Sequence, residues 1–449
     1  MSISNSIRLT LNIKDPNITF DTNCIHELQI KGVLSLVYSA KLSPPTPNAC
    51  PHCGVVNQDF SIIKNGSKFV TVKMPRVSNR RTFLRLKKQR YLCKHCNHSF
   101  SAQTPLTEYR HSISKNTYMA SLLDAKNKIS IKDISRRHDI SHGTLNHWIH
   151  QLNQHFKVNH KTLPKHLSFD EFSSVKSVHH KMSFIYMDAS NGNVLDILQD
   201  RRLSFLKSYF FRFPLEVREQ VETVCIDMYE PYIQLIRSCF PNAKIITDRF
   251  HIVQHINRAL NYTRIHVMKH NPKYYARLKR YWKLILKDAS SLDHHHYRKF
   301  TGYKYLMTES QVIDDLLRLS QEFESTYWLC QHLKQAIKHK NTTLLSDLMN
   351  RPNSHVAESM KGVLKTFKKQ ENYIINALTY PYSNGKLEGT NNLIKVIKRI
   401  AFGYRDFHNF RSRILLISNT MIHLEIKKPS SYFYDDGTDS KYVGLSHQH

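Results

Sequence analysis

Five short runs decide the fold: LSFDEFSSV at Leu167–Val175, HKMSFIYMD at His180–Asp188, NVLDIL at Asn193–Leu198, TVCID at Thr223–Asp227 and AKIIT at Ala243–Thr247. The first three are apolar, aromatic and β-branched, and Ser190-Asn-Gly192 supplies a turn between the second and third. They read as an antiparallel meander. Helical stretches then alternate with strands: Ser204–Phe213, Glu216–Val221, and a helix opened by Glu230-Pro231 that runs through Cys239. The fourth and fifth runs are fully apolar, as buried strands are. A meander followed by helix–strand alternation predicts a mixed α/β sheet. In that order the first and fourth strands are neighbours, so Asp170 and Asp227 can meet.

Working outward to the C-terminal side, residues from Ile252 to about Ala377 read as almost wholly helical, rich in Lys, His, Tyr and Leu. The His294–His296 run reads as an exposed loop, because three adjacent side chains point in different directions. Then comes YPYSNGKLEGTNNLIKVIKRIAFGYR at Tyr380–Arg405. A helix from about Asn384 puts Thr390, Leu393, Ile394, Ile397, Ile400 and Ala401 on one buried stripe. Glu388, Asn391, Asn392, Lys395, Lys398 and Arg399 fall on the opposite one. Glu388 is thus a lone carboxylate at the head of an amide and cationic face. It reads either as a solvated group with a helical partner three or four residues away, or as a metal ligand beside phosphate-holding cations. Three carboxylates on separate rigid elements, Asp170, Asp227 and Glu388, can bind two Mg²⁺ (or Mn²⁺) ions about 3.5–4 Å apart, the arrangement for in-line attack at phosphorus. Lys386, Lys395, Lys398, Arg399 and Arg405 are candidates for phosphate contact. Glu171 points to the other face of a regular strand, and Asp188 reads as a hairpin residue. Asp248 with His251 follows the fifth strand, either as an N-cap with a packed histidine or as an accessory pair. In a different strand order Asp248 would replace Asp227 as the second ligand.

On the N-terminal side, residues 1–45 hold short strand-like runs, Ile7–Ile13 and Leu28–Tyr38, before the Pro-rich Lys41–Asn48. Cys50-Pro-His-Cys53 and Cys93-Lys-His-Cys96 are two CxxC knuckles. Two knuckles close a tetrahedral structural Zn²⁺ site; reduced, unliganded or redox-active thiols are the alternative. His52, His95 and His98 lie beside a set that four thiolates already complete. The gap between knuckles contains strand-like runs Phe60–Ile63, Lys68–Met74 and Thr82–Leu86, fit for a hairpin, and a basic stretch, Arg76–Arg90. Cys24, Cys225, Cys239 and Cys330 are isolated and read as packed thiols. Ser130-Ile-Lys-Asp133 matches a capping box opening a first helix through Arg137. A short turn at Asp139–Gly143 leads to a second helix, Thr144–Leu152, capped by Ser141, with Leu145, Trp148 and Ile149 inside. This is the pattern of a helix-turn-helix presenting His142, Thr144, Asn146 and His147 to DNA; the alternative is an ordinary helical hairpin.

Composition agrees with a polyanionic partner. The 449 residues carry 66 Lys+Arg against 35 Asp+Glu, a formal charge of +31, interleaved with 23 Tyr and 22 Phe. Nucleic acid is the default partner of such a chain, an anionic membrane surface the alternative. No apolar run reaches the roughly 18 residues of a membrane span, and the N-terminus lacks the order of a signal peptide. A cytoplasmic, nucleoid-associated protein is expected.

The motifs jointly resemble those of bacterial insertion-sequence transposases of the DDE class, ISL-three group. They are the CxxC pairs, the helix-turn-helix, Phe169–Phe172, Cys225–Tyr232, Phe240–Ala243, Asp248–His251 and Ser383–Asn392, followed by Lys395, Arg399 and Gly403–Arg405. The resemblance implies a ribonuclease-H-like catalytic domain with Asp170, Asp227 and Glu388 as the metal-binding triad. It also implies binding of double-stranded DNA at terminal inverted repeats and strand transfer into target DNA by a homodimer or larger complex. The expected organisation is a strand-rich segment over 1–45, a zinc ribbon over 46–105 and a helix-turn-helix over 106–160. The catalytic domain follows over 161–265 and 378–428, interrupted by a helical insertion over 266–377, with a polar tail over 429–449. Two other readings share these residues: a DNA-binding repressor or architectural protein with an inactive catalytic domain, and a metal-dependent structure-specific nuclease.

Overall fold

The structure is a computed structural model, and it describes residues 3–155, 158–352 and 354–418. The polar tail expected after Lys428 lies outside the described residues.

The five runs form one five-stranded sheet. His166–Ser173 is its middle strand, with Met182–Asp188 and Val194–Leu198 antiparallel on one side and Thr223–Ile226 and Lys244–Thr247 parallel on the other. The meander pairs by hairpin because Asp188 closes the turn, accepting from the Ser190 amide and Asn191 Nδ2, each at 2.8 Å. Parallel pairing needs crossovers long enough for a helix. Helices Leu203–Phe210 and Leu215–Glu219 precede the fourth strand, and Glu230–Cys239 precedes the fifth. An aromatic core covers one face of this sheet, with Phe169, Phe184, Tyr186, Phe210 and Phe240 all buried.

Helix Arg249–His270 leaves the last strand and starts the helical region. That region packs around its own core of Leu260, Val312, Phe323, Tyr327 and Phe367. It is not wholly helical: Arg298–Lys299 and Leu306–Met307 form a minimal antiparallel pair. His294, His295 and His296 are exposed, and Asp293 accepts from the amides of His295 and His296 at 3.0 Å, so the run is a loop cap.

Two expectations for residues 1–45 are corrected. Ile3–Thr10 is a helix, since Ile7 and Leu11, four apart, are buried while Leu9 between them is 69% exposed. Leu28–Tyr38 is not one strand but the turn of a hairpin, Ile18–Ile30 with Val33–Leu42, reversed at Lys31 and Gly32, both with positive φ. Nor do these residues stand apart from the cysteine module. Val33–Leu42 pairs in parallel with Arg80–Cys93, which pairs antiparallel with Ile62–Val77, giving one continuous sheet around Leu84, Leu86, Tyr91 and Cys93.

Helices Lys115–Ala125, Ile131–His138 and His142–His155 follow. Ser130 caps the second as expected, accepting from the Asp133 amide at 3.0 Å, and Asp139 reverses the chain in the left-handed region, φ 56° and ψ 38°. Leu145, Trp148 and Ile149 are buried. They share one core with Leu387, Ile394 and Ile397 and with the last helix, Phe407–Ile417. That helix fastens two units at once. Two residues apart on a helix means about 200° of rotation, so Arg411 and Arg413 point opposite ways. Arg411 Nε donates to Asp196 of the third strand at 2.8 Å. Arg413, 1% exposed, donates to the carbonyls of Ala125, Asn127 (3.1 Å) and Ile129 (2.8 Å), in the turn before the helix pair. Arg413→Met is expected to destabilise the chain by about 2–4 kcal/mol, because three carbonyls lose a buried donor. Calorimetry of the purified variant checks this; an unchanged Tm would show that water replaces the guanidinium at no cost.

Candidate active site

The register places the carboxylates. The middle strand pairs with the fourth through Ser168 and Cys225, and the fourth with the fifth through Ile226 and Thr247. Two residues on from Ser168 and Cys225 come Asp170 and Asp227; one on from Ile226 and Thr247 come Asp227 and Asp248. Asp227 and Asp248, at the ends of the fourth and fifth strands, therefore collect beside Asp170, which lies within the middle strand just past the point where it stops pairing with the fourth. Parallel strands leave their C-terminal ends open to a ligand in this way.

Around them the side chains interlock. Asp170 accepts from its neighbour's amide, Glu171 N–H, at 2.7 Å and from Asn391 Nδ2 at 2.7 Å. His251 Nε2 lies 3.0 Å from Asp227 Oδ1. Asp248, 4% exposed, stands at the N-cap position of helix Arg249–His270 without a side-chain cap bond, and instead accepts from the Asn384 backbone amide at 3.1 Å. Ligand atoms of Asp227, Asp248 and His251 all lie within 4.8 Å of one another. Burial, and then the Asp227 charge, push the Asp170 carboxyl up to about 7. Burial, and then the Asp248 charge, push Asp227 up to about 7 as well. Two half-buried acids crowded at one spot resist ionising together, and the His251 charge offsets part of the upward push on Asp170.

The sign of the pH effect follows. The native values are raised, so folding favours the neutral forms. The cost is absent below the unfolded value near 3.8, grows as pH rises and is complete above about 7. Asp170→Asn is expected to match the parent in Tm near pH 4 and to exceed it by several degrees at pH 8, in chelator-treated protein followed by circular dichroism. A Tm gap that does not widen with pH would count against a shared acidic site.

Helix Gly385–Ile400 lies over the strand ends. Glu388 stands in its first turn and is exposed; its charge adds to the upward push on Asp227, but it is not part of the Asp227–Asp248–His251 group. The buried stripe differs in detail from the periodicity. Leu387, Ile394 and Ile397 are buried, while Thr390, Leu393, Ile400 and Ala401 are half-buried. Asn391, expected on the outward face, turns to Asp170. Asn384, 3% exposed, reaches the Phe169 carbonyl at 3.1 Å, and its side chain offsets part of the upward push on the Asp227 carboxyl. Their spacing to Glu388, four and three residues, is the signal that sequence reading had available and did not use.

The remaining candidates divide. Glu171 is held by Arg201 and by Tyr232 Oη at 2.8 Å. Lys386 donates to the carbonyls of Ala189 and Ser190, and Lys398 to those of Ser173 and Ser174, so both ammonium groups are engaged in fastening the helix to the sheet. Lys395 donates to Asn392 Oδ1 at 3.1 Å, and Arg399 and Arg405 are exposed. His142 and His147 are exposed, Thr144 and Asn146 half-buried, on the helix His142–His155.

The four cysteines meet at the other end of the chain. Cys50 Sγ lies 3.7 Å from Cys96 Sγ, and Cys53 Sγ 3.8 Å from Cys93 Sγ. A tetrahedron with metal–sulfur bonds of about 2.3 Å has edges of about 3.8 Å, so the set fits Zn²⁺. The amides of Cys53 and His52 hold the Cys50 thiol down at about 6. His52 and His98 stack at 4.3 Å beside the set.

Comparison with known proteins accords with both ends. Residues 46–96 match the zinc-finger of transposase IS204/IS1001/IS1096/IS1165, and residues 167–414, more than half of the chain, match a transposase family of the ISL-three group. The chain belongs to that transposase family. Among curated relatives, the transposase for insertion sequence element IS1001 of Bordetella parapertussis is 27% identical over 259 residues, 56% of this chain and 60% of the relative. A Lactococcus lactis subsp. lactis protein named ATP-dependent protease is 39% identical over 110 residues, 24% of this chain and 35% of the relative. The chain thus spans less than two thirds of either relative's length. The zinc-ribbon match, with its four clustered cysteines, supports structural Zn²⁺. No described helix is long and apolar enough to cross a membrane.

Proposed function

We propose that the protein binds the terminal inverted repeats of its insertion sequence and catalyses Mg²⁺-dependent strand cleavage and strand transfer through a ribonuclease-H-like domain. The observation that carries this reading is the in-register meeting of Asp170 and Asp227, both half-buried and both raised to about 7, in a chain of a transposase family. The sheet order, three antiparallel strands followed by two parallel ones, supports the fold assignment.

Asp170, Asp227 and Glu388 would hold the divalent cations, and the donor set fits: hard carboxylate oxygens, with Asp227 Oδ1 shielded from solvent beside His251. When bound, the cations supply charge for the attacking and leaving oxygens of a phosphodiester. The chain's own work is positioning. Asn391 and Asn384 orient Asp170 and Asp227. His251, paired with Asp227 at 3.0 Å, helps hold that carboxylate in place. Lys395, Arg399 and Arg405 line the approach for phosphates. Asp248 is a second reading for the second ligand, favoured by its place in the Asp227–Asp248–His251 group. The helix pair 131–155 acts as the helix-turn-helix, and coordinated work on two DNA ends calls for at least two subunits.

The test is cleavage and joining of a labelled fragment carrying the element's ends in Mg²⁺ or Mn²⁺. Cutting with joining supports the transposase. Cutting alone on structured substrates favours a nuclease, and tight binding without cutting favours a repressor.

A further inference from the structure

A concave space of about 460 Å³ lies between the N-terminal sheet and the helix pair. Arg76 and Arg81 face it from the hairpin Ile62–Val77/Arg80–Cys93, and Lys132, Arg136 and His142 from the helices. Its one carboxylate, Asp139, is already engaged by Arg81 and by Lys73 at 3.5 Å. The hairpin turns through Ser78 and Asn79, both at positive φ, and is pinned to the first helix: Arg76 Nη2 donates to the Arg136 carbonyl at 3.1 Å. Residues some sixty positions apart in sequence therefore form one basic wall. Arg76, Lys132, Arg136 and His142 are exposed, so the cations are not there to satisfy buried acids.

We propose that this groove is a clamp for the phosphate backbone of the duplex whose major groove receives helix His142–His155. The inference rests on the DNA-binding reading of the helix pair and extends the interface to the cysteine-bearing sheet. In helix-turn-helix docking the first helix crosses the backbone beside the site that the second helix reads. Lys132 and Arg136, four apart on that first helix, form a stripe facing the same way, and Arg76 of the hairpin prolongs it. A concave cluster of one sign focuses its field on a polyanion more than the same charges spread on a convex surface. Backbone contacts of this kind fix register and carry no sequence information. The N-terminal sheet accordingly adds affinity, and the helix His142–His155 adds choice of sequence.

The experiment uses the full-length, zinc-loaded protein. Fluorescence anisotropy measures binding to a duplex of the element's terminal sequence and to a scrambled duplex between 50 and 200 mM salt. Arg76→Ala, Lys132→Ala, the double variant and Arg76→Lys are compared with a distant surface control, Lys273→Ala. Each lost cation is expected to flatten the slope of log affinity against log salt by about 0.9, about threefold less loss of affinity over that fourfold rise in salt. Affinity for both duplexes should fall by the same factor, Arg76→Lys should restore the slope, and Lys273→Ala should change nothing. Phosphate-ethylation interference should lose the signal flanking the helix's half-site in the double variant. If the parent binds and cleaves while the variants keep its slope and affinity, the clamp is overturned and the transposase reading stands. If the variants change self-association by sedimentation and not the salt slope, the groove joins protein copies, and the clamp is again overturned. If the parent binds neither duplex, the DNA reading beneath both falls.

Discussion

Asp227→Asn is expected to abolish cleavage while end binding survives. The amide is isosteric, so the strand end, the Asn384 contact and the pairing with the neighbouring strands persist. What disappears is the charge that would hold a cation, and loss of a ligand at the reacting phosphate lowers the rate by about 10³-fold or more. The same substitution should raise the Tm of chelator-treated protein at pH 8, since it removes the Asp227 charge that Asp248 and Asp170 oppose. Activity and stability then move in opposite directions, which a merely structural aspartate would not produce. Glu388→Gln gives the contrasting pattern. Glu388 is exposed and is only a minor part of the push on Asp227, so its variant should lose cleavage with a much smaller gain in metal-free stability at pH 8 than Asp227→Asn. Single-turnover cleavage alongside calorimetry makes the comparison. Should cutting survive in Asp227→Asn and vanish in Asp248→Asn, the second ligand is Asp248.

The second large effect concerns zinc. Cys93→Ser should drop the bound zinc from one per chain to none and cost the N-terminal sheet its order. Cys93 is fully buried at the end of strand Arg80–Cys93, and the four sulfurs gather loops from 46 residues apart. Metal coupling of this kind contributes roughly 10 kcal/mol to a small module, more than the hairpin alone can replace. The sheet has a hydrophobic core separate from that of the catalytic strands. Limited proteolysis should therefore cut within residues 46–105 and spare the region beyond 166, and affinity for DNA ends should fall by about 10²-fold or more. Metal analysis, proteolysis and anisotropy report the three parts. A Cys93→Ser protein that resists protease and binds ends normally would show the zinc to be dispensable.

Much of this was legible in the chain because strands and knuckles leave local marks. Apolar runs of four to eight residues between turn signals located all five central strands, and the meander-then-crossover order put Asp170 beside Asp227. What escaped depends on distant partners. The alternation Ile7, Leu9, Leu11, Ile13 suits a strand as well as the helix it joins, and tertiary burial of Ile7 and Leu11 decided it. Lys386 and Lys398 look like free cations in sequence, yet each finds carbonyls that only the folded sheet leaves open. Arg413 sits in an apolar helix without any mark of what it holds.

The shared core beneath Trp148 and Ile394, with Arg413 clamped across it, packs the helix pair against the elements that surround the acidic site. In the proposed function this makes the protein a ruler. The number of base pairs between the sequence it reads and the bond it breaks is then set by the distance at which this shared core holds the helix pair from Asp170 and Asp227. Lengthening that spacer by half a helical turn of DNA, about 5 base pairs, would present the wrong side of the duplex to Asp170 and Asp227, whereas a whole turn would restore the face and change only the reach.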